Sequence, residues 1–388
     1  MTEEKTHALL SASSADKWLH CTPSARMEQM FPDASGESAA EGTLAHELGE
    51  LKLRLYFGHI QKAAYTKEFN KIKKNELYAK DIDNYTEDYL EYIKSVEISL
   101  ANKPYAVFEM RVDYSKYAPE GFGTVDCMLI SGNEVHVIDF KYGKTVFVPV
   151  EDNPQLKLYA LGVIERYGSL FPVDKVTLHI VQPRKDNMSK WSITIKDLLA
   201  WSESIKPIAD TAFKGEGECS VGDWCDSHFC RCRASCRAYM NQMNAVKPYI
   251  DKEPKLLSND EIGHALTLAA NIKKWYSLLE AHAQGLILAG ENVDGWKIVE
   301  GRSNRTFGDI DTAYKVLVQS GIDEAVLYNR TPITLTDCEK LLGKKDFSAQ
   351  LSSYITKPAG KPTLVPQTDP REPFNPAASD FEGLETNN

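Results

Sequence analysis

The centre of the chain holds two β-rich, largely apolar runs that flank a tight turn. The runs are TVDCMLI at 124–130 and EVHVIDF at 134–140. The Gly-Asn pair at 132–133 is typical of a two-residue hairpin loop. Counting outward from this loop pairs Asp126 with Asp139, and a side-chain period of two puts both carboxylates on one face. The pattern therefore predicts a β-hairpin with two opposed acids, and Lys141 follows beside them.

Both faces of the predicted hairpin are otherwise apolar. The acidic face should hold Met128, Ile130, Val135 and Val137, and the opposite face Val125, Cys127, Leu129, Ile138 and Phe140. A strand pair that is apolar on both faces is usually internal, and like charges that face each other there are destabilising. A shared divalent cation, or a raised pKa on one Asp, would resolve the conflict. The alternative is a solvated hairpin with two surface acids.

Helical spacing dominates the sequence before the hairpin. A small-residue loop at 36–40 should precede a helix at 43–57, on which His46 and Glu50 share a face. Residues 61–103 predict one or two amphipathic helices. There Tyr85, Tyr89, Ile93 and Val96 recur at helical spacing, which favours packing over contact with DNA bases.

The remaining elements complete a mixed pattern. Strands are predicted at 105–112, 176–182, 191–195 and 296–299. Asn153 and Pro154 begin a helix that should end at Gly168, and further helices are predicted at 195–213, at 259–290 and, as short pieces, within 309–356. This order predicts an α/β (α+β) core with a mixed central sheet flanked by helices. We expect three regions: a core at 1–245, a helical extension at 246–356 and a disordered tail at 357–388.

Composition places this fold in an ordinary globular protein. The chain has 388 residues, 43% of them hydrophobic, and a formal net charge of -10. The negative charge argues against a protein that coats nucleic acid through a basic surface, but a nuclease needs only a local basic rim. We find neither a signal peptide nor a membrane-spanning run, so we expect a cytoplasmic protein with no membrane partner and with its cysteines as thiols or metal ligands.

Cysteines cluster late in the core. The five that fall within 18 residues are Cys219, Cys225, Cys230, Cys232 and Cys236. Zinc would take four ligands, with His228 as a candidate, and an iron–sulfur cluster would take four thiolates. The spacing does not choose between them. Cys21 alone would be interpreted as a small buried hydrophobe.

Four motifs in order resemble the RecB-type branch of the PD-(D/E)xK nucleases. Gly-Thr-Leu-Ala-His ends in His46, Gly123-Thr124-Val125-Asp126 is similar to G-x-x-D, Asp139-Phe140-Lys141 fits D/E-x-K, and Gln155 to Tyr159 fits Q-x-x-x-Y. The resemblance covers about residues 10–240 and implies a restriction-endonuclease-like fold. It also implies a Mg²⁺ or Mn²⁺ site made by His46, Asp126, Asp139 and the carbonyl of Phe140. Lys141, Gln155 and Tyr159 would complete the catalytic set, and Glu109, on the first strand, would point at the same site.

The cysteines resemble the iron–sulfur, AddB-like subgroup of that branch. In that subgroup one cysteine precedes the core and three follow it, around a [4Fe–4S] cluster. Cys21 matches the early position, and Cys225, Cys230 and Cys236 match the late three. The late spacing departs from the usual pattern, so Cys219 and Cys232 stay open as ligands, as does Zn²⁺ as the alternative.

The whole chain also resembles an uncharacterised phage and prophage family. This resemblance implies a DNA exonuclease acting on single-stranded ends in phage replication or recombination, inside the host cell, with phage recombination or replication proteins as partners. The alternatives are a non-catalytic DNA-binding module and a zinc-ribbon interaction module on the same fold. Two arginines in the loop at 301–305 are candidate phosphate contacts, although such a stretch is more often just a turn.

Overall fold

A five-stranded sheet runs through the first part of the chain in the order β1-β2-β3-β4-β5. Its neighbouring strands are antiparallel except for β3 and β4, which are parallel. The sheet is therefore mixed, as the sequence predicts. The strands are β1 (Tyr105–Asp113), β2 (Phe122–Ser131), β3 (Glu134–Phe140), β4 (Lys175–Gln182) and β5 (Asn187–Thr194).

A helical crossover joins the two parallel strands. Parallel neighbours cannot be joined by a tight turn, and here α6 (Pro154–Tyr167) makes the connection. Its N-cap is Asn153, whose side chain accepts a hydrogen bond from Leu156 N at 3.1 Å, as predicted. The helix packs closely on the sheet, since a Cβ added at Gly162 would lie 2.8 Å from Val112 Cβ. The first turn of α6 thus lies next to the end of β3.

The hairpin register agrees with the prediction. Ser131 pairs with Glu134, and the ladder continues to Cys127 opposite Ile138. Gly132, in the loop, has a φ of 61°, a conformation that glycine adopts without strain. Asp126 and Asp139 are the next residues outward on the two strands.

The faces of β2 differ from the prediction at one position. Val125 packs with Met128 in one core cluster, whereas Cys127 lies in the other, so alternation breaks between residues 125 and 127. The β1–β2 ladder omits one pair at the same level, between the pairs Phe108–Cys127 and Met110–Val125. The omitted β1 residue, Glu109, has a φ of 44°. This local kink changes which face of the sheet the preceding β2 residues occupy. Val125 therefore lies on the face of Met128 and not, as predicted, on the face of Cys127.

Helices cover both faces of the sheet. One apolar cluster combines α3 and α5 with Leu129, Ile138 and Phe140, and the other combines α1, α6 and α7 with Met128, Val135 and Val137. Of the remaining helices, α2 and α4 precede the sheet in the chain and the others follow it. The helices outside the crossover are α1 (Ala15–His20), α2 (Ser24–Glu28), α3 (Glu37–Tyr56), α4 (Lys62–Ile72), α5 (Lys80–Ser99), α7 (Ile195–Lys214), α8 (Asp223–Ser227), α9 (Arg237–Asn241), α10 (Asn259–Leu288), α11 (Ile310–Gln319), α12 (Leu335–Leu342) and α13 (Lys344–Leu351).

Two predicted elements are wrong. Most of the small-residue loop at 36–40 is the first turn of α3, because Ala39 and Ala40 are good helix formers and both donate backbone hydrogen bonds to Gly36 O. The predicted strand at 296–299 is irregular. Trp296 is 63% exposed and Val299 is 68% exposed, and no strand among the described residues pairs with them.

The computed structural model describes residues 8–32, 36–247, 256–299, 309–328, 334–355, 365 and 368–372. The chain divides into two units, Met1–Val299 and Glu300–Asn388. The arginine loop at 301–305 and most of the tail at 357–388 lie outside the described residues. Among the helices that are described, none has both the length and the apolar character needed to cross a membrane.

Candidate functional site

Asp139 lies at the end of β3 within a polar network. Its Oδ1 accepts hydrogen bonds from Lys141 Nζ at 3.2 Å and from Gln155 Nε2 at 3.0 Å. Gln155 in turn accepts from Lys141 Nζ at 3.1 Å, and its Nε2 also lies 3.2 Å from the hydroxyl of Tyr159. The end of β3 and the first turn of α6 therefore bring together four of the predicted residues.

Asp126 links this network to the helix on the other side of the sheet. Its Oδ2 accepts a hydrogen bond from the backbone N–H of Phe140 at 2.7 Å, and its Oδ1 lies 3.4 Å from His46 Nδ1. Glu109 Oε1 lies 3.8 Å from the same nitrogen. In the described part of the chain, His46, Glu109 and Asp126 form the one group of three such ligand atoms within 4.8 Å of one another. Glu109, which was expected to point at this site, thus lies beside His46 and Asp126.

Burial and charge shift the pKa values in this site. Burial raises the pKa of Asp139 to about 6, and the nearby Asp126 carboxylate adds to this rise. The Lys141 ammonium lowers the same pKa, but by less than burial raises it. Burial alone would raise the pKa of Asp126 and lower that of His46, but their mutual attraction reverses both shifts. The pKa of His46 consequently reaches about 10. The two acids stay ionised near neutral pH only because cations lie beside them.

One buried oxygen in the site lacks a hydrogen bond. Asp139 Oδ2 lies 2.9 Å from Lys141 Nζ, but the angle is not that of a hydrogen bond, and no other donor reaches this atom. A buried carboxylate oxygen in that state costs free energy, and a hard divalent cation would satisfy it. The donor set of carboxylates and one imidazole therefore fits Mg²⁺ or Mn²⁺.

The glycine of the G-T-V-D motif makes room for the tyrosine of the Q-x-x-x-Y motif. A Cβ added at Gly123 would lie 2.6 Å from Tyr159 Cε1. Tyr159 is buried, and burial raises the pKa of its hydroxyl well above the usual value. Any larger residue at position 123 would displace the tyrosine from the network.

Arg184 lies near the same end of the sheet and was not identified from sequence. It follows β4, whose end lies next to the end of β3 because the two strands are parallel. Its Nη1 lies 3.5 Å from Glu41 Oε2, and its guanidinium carbon lies 4.5 Å from the ring centre of Tyr142. The rule that carboxyl ends of parallel strands share an edge would have indicated the Pro-Arg-Lys turn after β4.

The cysteines form a separate cluster. Cys225, Cys230 and Cys232 are buried together and pack against Cys236, Met27 and Trp224. The Cys219 thiol donates a hydrogen bond to Met27 Sδ at 3.5 Å, and burial, helped by its neighbours Cys21 and Cys236, raises its pKa. The structure therefore brings Cys21 together with all five late cysteines, and it does not separate the predicted ligands from Cys219 and Cys232. His228 instead pairs with Asp16, its Nε2 lying 3.2 Å from Asp16 Oδ2.

The thiols of this cluster differ in acidity. A hydrogen bond from Cys232 lowers the pKa of Cys230 to about 7, despite burial. Burial raises the pKa of Cys21, and raises that of Cys219 to about 11. Cys230 is thus the thiol that most readily becomes a thiolate, the form that binds metal.

The N-terminal helices are fastened to the cysteine segment. A buried ion pair joins Lys17 to Glu28 at 2.7 Å, and Glu28 also accepts a hydrogen bond from the backbone N–H of Arg231 at 2.8 Å. Thr22 Oγ1 donates to Glu216 O at 2.6 Å, and Arg26 Nε donates to Phe213 O at 2.7 Å. These contacts hold Cys21 in place beside the late cysteines.

Comparisons with known proteins report a family match and similar solved structures. A family model described as "Protein of unknown function (DUF2800)" matches residues 7–372. A solved structure titled "Crystal structure of SSO0001" is similar to this chain at 15% identity, over 50% of this chain and 95% of that one, with a TM-score of 0.24. At that TM-score the likeness supports no conclusion about fold or activity.

Proposed function

Since the chain belongs to the DUF2800 family of proteins of unknown function, we propose its activity from the site: metal-dependent hydrolysis of phosphodiester bonds in DNA. The observation that carries the proposal is the convergence of Asp126, Asp139 and Lys141 at the end of one hairpin. Two carboxylates beside a lysine are the groups that a metal-assisted phosphodiesterase needs. The four motifs that resemble the RecB-type nucleases, and the restriction-endonuclease-like fold that they imply, belong to the same proposal.

His46, Asp126, Asp139 and the carbonyl of Phe140 would hold the ion, and Glu109 is placed to add a further oxygen. A divalent cation bound there supplies positive charge that polarises the phosphate and favours a hydroxide nucleophile. The donor set supports Mg²⁺ or Mn²⁺, and the imidazole favours Mn²⁺ somewhat.

The other residues have positioning and electrostatic roles. Lys141 would orient the attacking water and stabilise negative charge that develops on the phosphate oxygens. Gln155 holds both Lys141 and Asp139 through hydrogen bonds of 3.1 and 3.0 Å. Tyr159, bonded to Gln155, would close the wall of the site behind them. We propose single-stranded DNA ends as the substrate, in phage replication or recombination within a host cell.

The cysteine cluster would bind a [4Fe–4S] cluster with a structural role. The resemblance to the iron–sulfur, AddB-like subgroup supports this assignment, and a zinc ion is the alternative. Four of the six thiols Cys21, Cys219, Cys225, Cys230, Cys232 and Cys236 would be its ligands, with Cys21, Cys225, Cys230 and Cys236 as the preferred set.

The test of the activity is cleavage of end-labelled single-stranded DNA with Mn²⁺. We expect cleavage by the wild type and none by Asp126→Ala or Lys141→Ala, with unchanged circular dichroism. Lys196→Ala is a matched control, because Lys196 is exposed and follows β5 at the opposite end of the sheet. Equal cleavage in all four proteins would show that the activity comes from a contaminant or from another site.

A further inference from the structure

Two segments form a fixed rim beside the site. They are the loop at 141–150, which follows β3, and the turn Pro183–Lys185, which follows β4. Gln182 Nε2 donates to Gly143 O at 2.9 Å and to Val146 O at 2.7 Å, and its Oε1 accepts from Val148 N at 3.3 Å. The loop lacks helix and strand, yet a buried side chain holds it in place.

The rim combines basic side chains with an exposed aromatic ring. Phe147 is 56% exposed, and Lys144 is exposed on the same loop. Lys185 Nζ reaches back to Lys144 O at 3.4 Å and Thr145 O at 3.5 Å, which keeps its charge beside the loop. The two segments also carry Lys141 and Arg184 but no acid, and Asp186 follows the turn. On a protein with a net charge of -10, this is a local concentration of positive charge.

We propose that this rim binds single-stranded DNA, with a base stacked on Phe147 and the phosphates against Lys144, Arg184 and Lys185. Basic grooves with exposed aromatic rings bind unpaired strands in this way. A duplex keeps its bases stacked inside and presents no free base to Phe147, so the surface favours an unpaired strand. The proposal rests on the proposed function, because the rim would deliver the strand to Asp139 and Lys141.

Glu41 occupies the position that a phosphate would take. Arg184 contacts the Glu41 carboxylate at 3.5 Å, and the Tyr142 hydroxyl lies 3.5 Å from the other oxygen of the same carboxylate. Arginine binds carboxylate and phosphate with similar geometry. The strand would therefore displace Glu41, and removing this negative charge would help it to bind.

The experiment measures binding separately from cleavage. Fluorescence anisotropy of a labelled oligothymidine would be followed in EDTA and, in parallel, in Ca²⁺. Phe147→Ala should weaken binding about tenfold, because one stacked base is lost. Phe147→Trp should retain affinity, and the fluorescence of the new tryptophan should be quenched when the strand binds. Lys196→Ala, at the far end of the sheet, should match the wild type.

The charged residues give a second readout. Arg184→Ala should reduce the slope of log affinity against log salt by about 0.7, the value for one phosphate contact on a single strand. Arg184→Lys should keep most of that slope. Glu41→Gln should tighten binding severalfold at low salt. If the slope is unchanged in Arg184→Ala, Arg184 does not contact a phosphate of the bound strand.

The outcomes separate this proposal from the proposed function. Binding that falls in Phe147→Ala, without any cleavage in Mn²⁺, would support the rim and refute the nuclease. Cleavage with unchanged binding in Phe147→Ala would do the reverse. Absence of wild-type binding in both EDTA and Ca²⁺, or equal affinity for duplex, would overturn the rim.

Discussion

The acidic site and the cysteine cluster are built in opposite ways. The acidic residues lie on long strands and a long helix, and hydrogen bonds to Phe140 N and Gln155 hold Asp126 and Asp139 in place. Cys225 lies on α8 and Cys236 is the N-cap of α9, and both helices are too short to be stable alone. The first site would thus keep its geometry without an ion, whereas the second would depend on its ligand. The difference agrees with our proposal of a catalytic role for the acidic site and a structural role for the cysteine cluster.

The cysteine cluster offers the largest test of this comparison. Replacing both Cys21 and Cys230 by Ser should lower the free energy of unfolding by about 3 kcal/mol or more, because ligand binding there is coupled to folding. Asp126→Asn should change stability far less. Urea unfolding measures both, and limited proteolysis within residues 217–247 should accelerate in the cysteine variant.

Cys338→Ser is the control for this test, since Cys338 lies on α12 in the second unit. Iron and acid-labile sulfide should co-purify with the wild type and with this control, but not with the double variant. Stoichiometric zinc without sulfide would replace the iron–sulfur proposal. An unchanged free energy of unfolding in the double variant would contradict the idea that the cysteine cluster depends on a bound ligand.

Close packing around Tyr159 gives the next largest effect. Gly123→Ala should destabilise the protein by about 2 kcal/mol and also lower cleavage, because its new Cβ meets Tyr159. Gly162 lies on α6, as Tyr159 does, but its added Cβ meets Val112 and not the polar network. Gly162→Ala should therefore lower stability and leave cleavage intact. Thermal unfolding and the cleavage assay separate the two losses. Equal cleavage in both variants would mean that packing does not position the tyrosine.

A third polar cluster tests whether burial alone, without an ion, explains shifted pKa values on this sheet. His179 Nε2 lies 2.9 Å from His136 Nδ1, and its Nδ1 lies 2.9 Å from the Tyr92 hydroxyl. Burial, helped by the neighbouring His136, lowers the pKa of His179 to about 3. Below its unfolded pKa of about 6.5, the unfolded chain binds the proton first. Stability should therefore be complete above pH 6.5 and fall as pH drops towards 3.

The loss attributable to His179 at pH 5 should be about 2 kcal/mol, from roughly 1.4 kcal/mol per pH unit. Urea unfolding at pH 7 and pH 5 measures it, and His179→Gln should flatten the dependence. His264→Gln, at an exposed position on α10, should behave as the wild type. The same acid sensitivity in both variants would contradict the assignment.

Hydrogen bonds from Gln155 give the smallest expected effect. Gln155→Met keeps the length of the side chain but removes its bonds to Asp139, Lys141 and Tyr159, so cleavage should fall about tenfold, or 1.4 kcal/mol of barrier. Tyr159→Phe removes one of these bonds and should lower cleavage less. Initial rates at saturating substrate are the measurement. A loss in Tyr159→Phe larger than in Gln155→Met would make Tyr159, and not Gln155, the main positioning residue.

Much of the acidic site could be predicted from sequence because its geometry is local. A two-residue loop sets the hairpin register, which brings Asp126 and Asp139 to the same level, and helical spacing sets Gln155 beside Tyr159. The pattern failed where one residue departs from regular geometry. Nothing in the sequence around Glu109 predicts a φ of 44°, and this kink places Val125 on the face of Met128.

Features that depend on distant contacts were not accessible from the pattern. Arg184 lies at the same end of the sheet as the site because β3 and β4 are parallel neighbours. The cysteine ligand set stays open because six thiols gather where four suffice, and spacing along the chain does not rank them. The start of α3 was missed because Gly36 and Ser38 suggested a loop, although the alanines that follow favour a helix.

The bond between Glu28 and Arg231 N has a consequence for synthesis. Its partners are 203 positions apart, so the N-terminal helices leave the ribosome long before their binding surface exists. At about 5 to 20 residues per second, the delay is on the order of 10 to 40 s. Trp18 and Leu10, which are fully buried in the finished protein, pack in the cluster formed by the sheet, α6 and α7, so they stay exposed to water and to other chains until those elements have been made. The contact between the N-terminal helices and the cysteine segment forms late, and the nascent chain is most susceptible to aggregation and proteolysis before it forms.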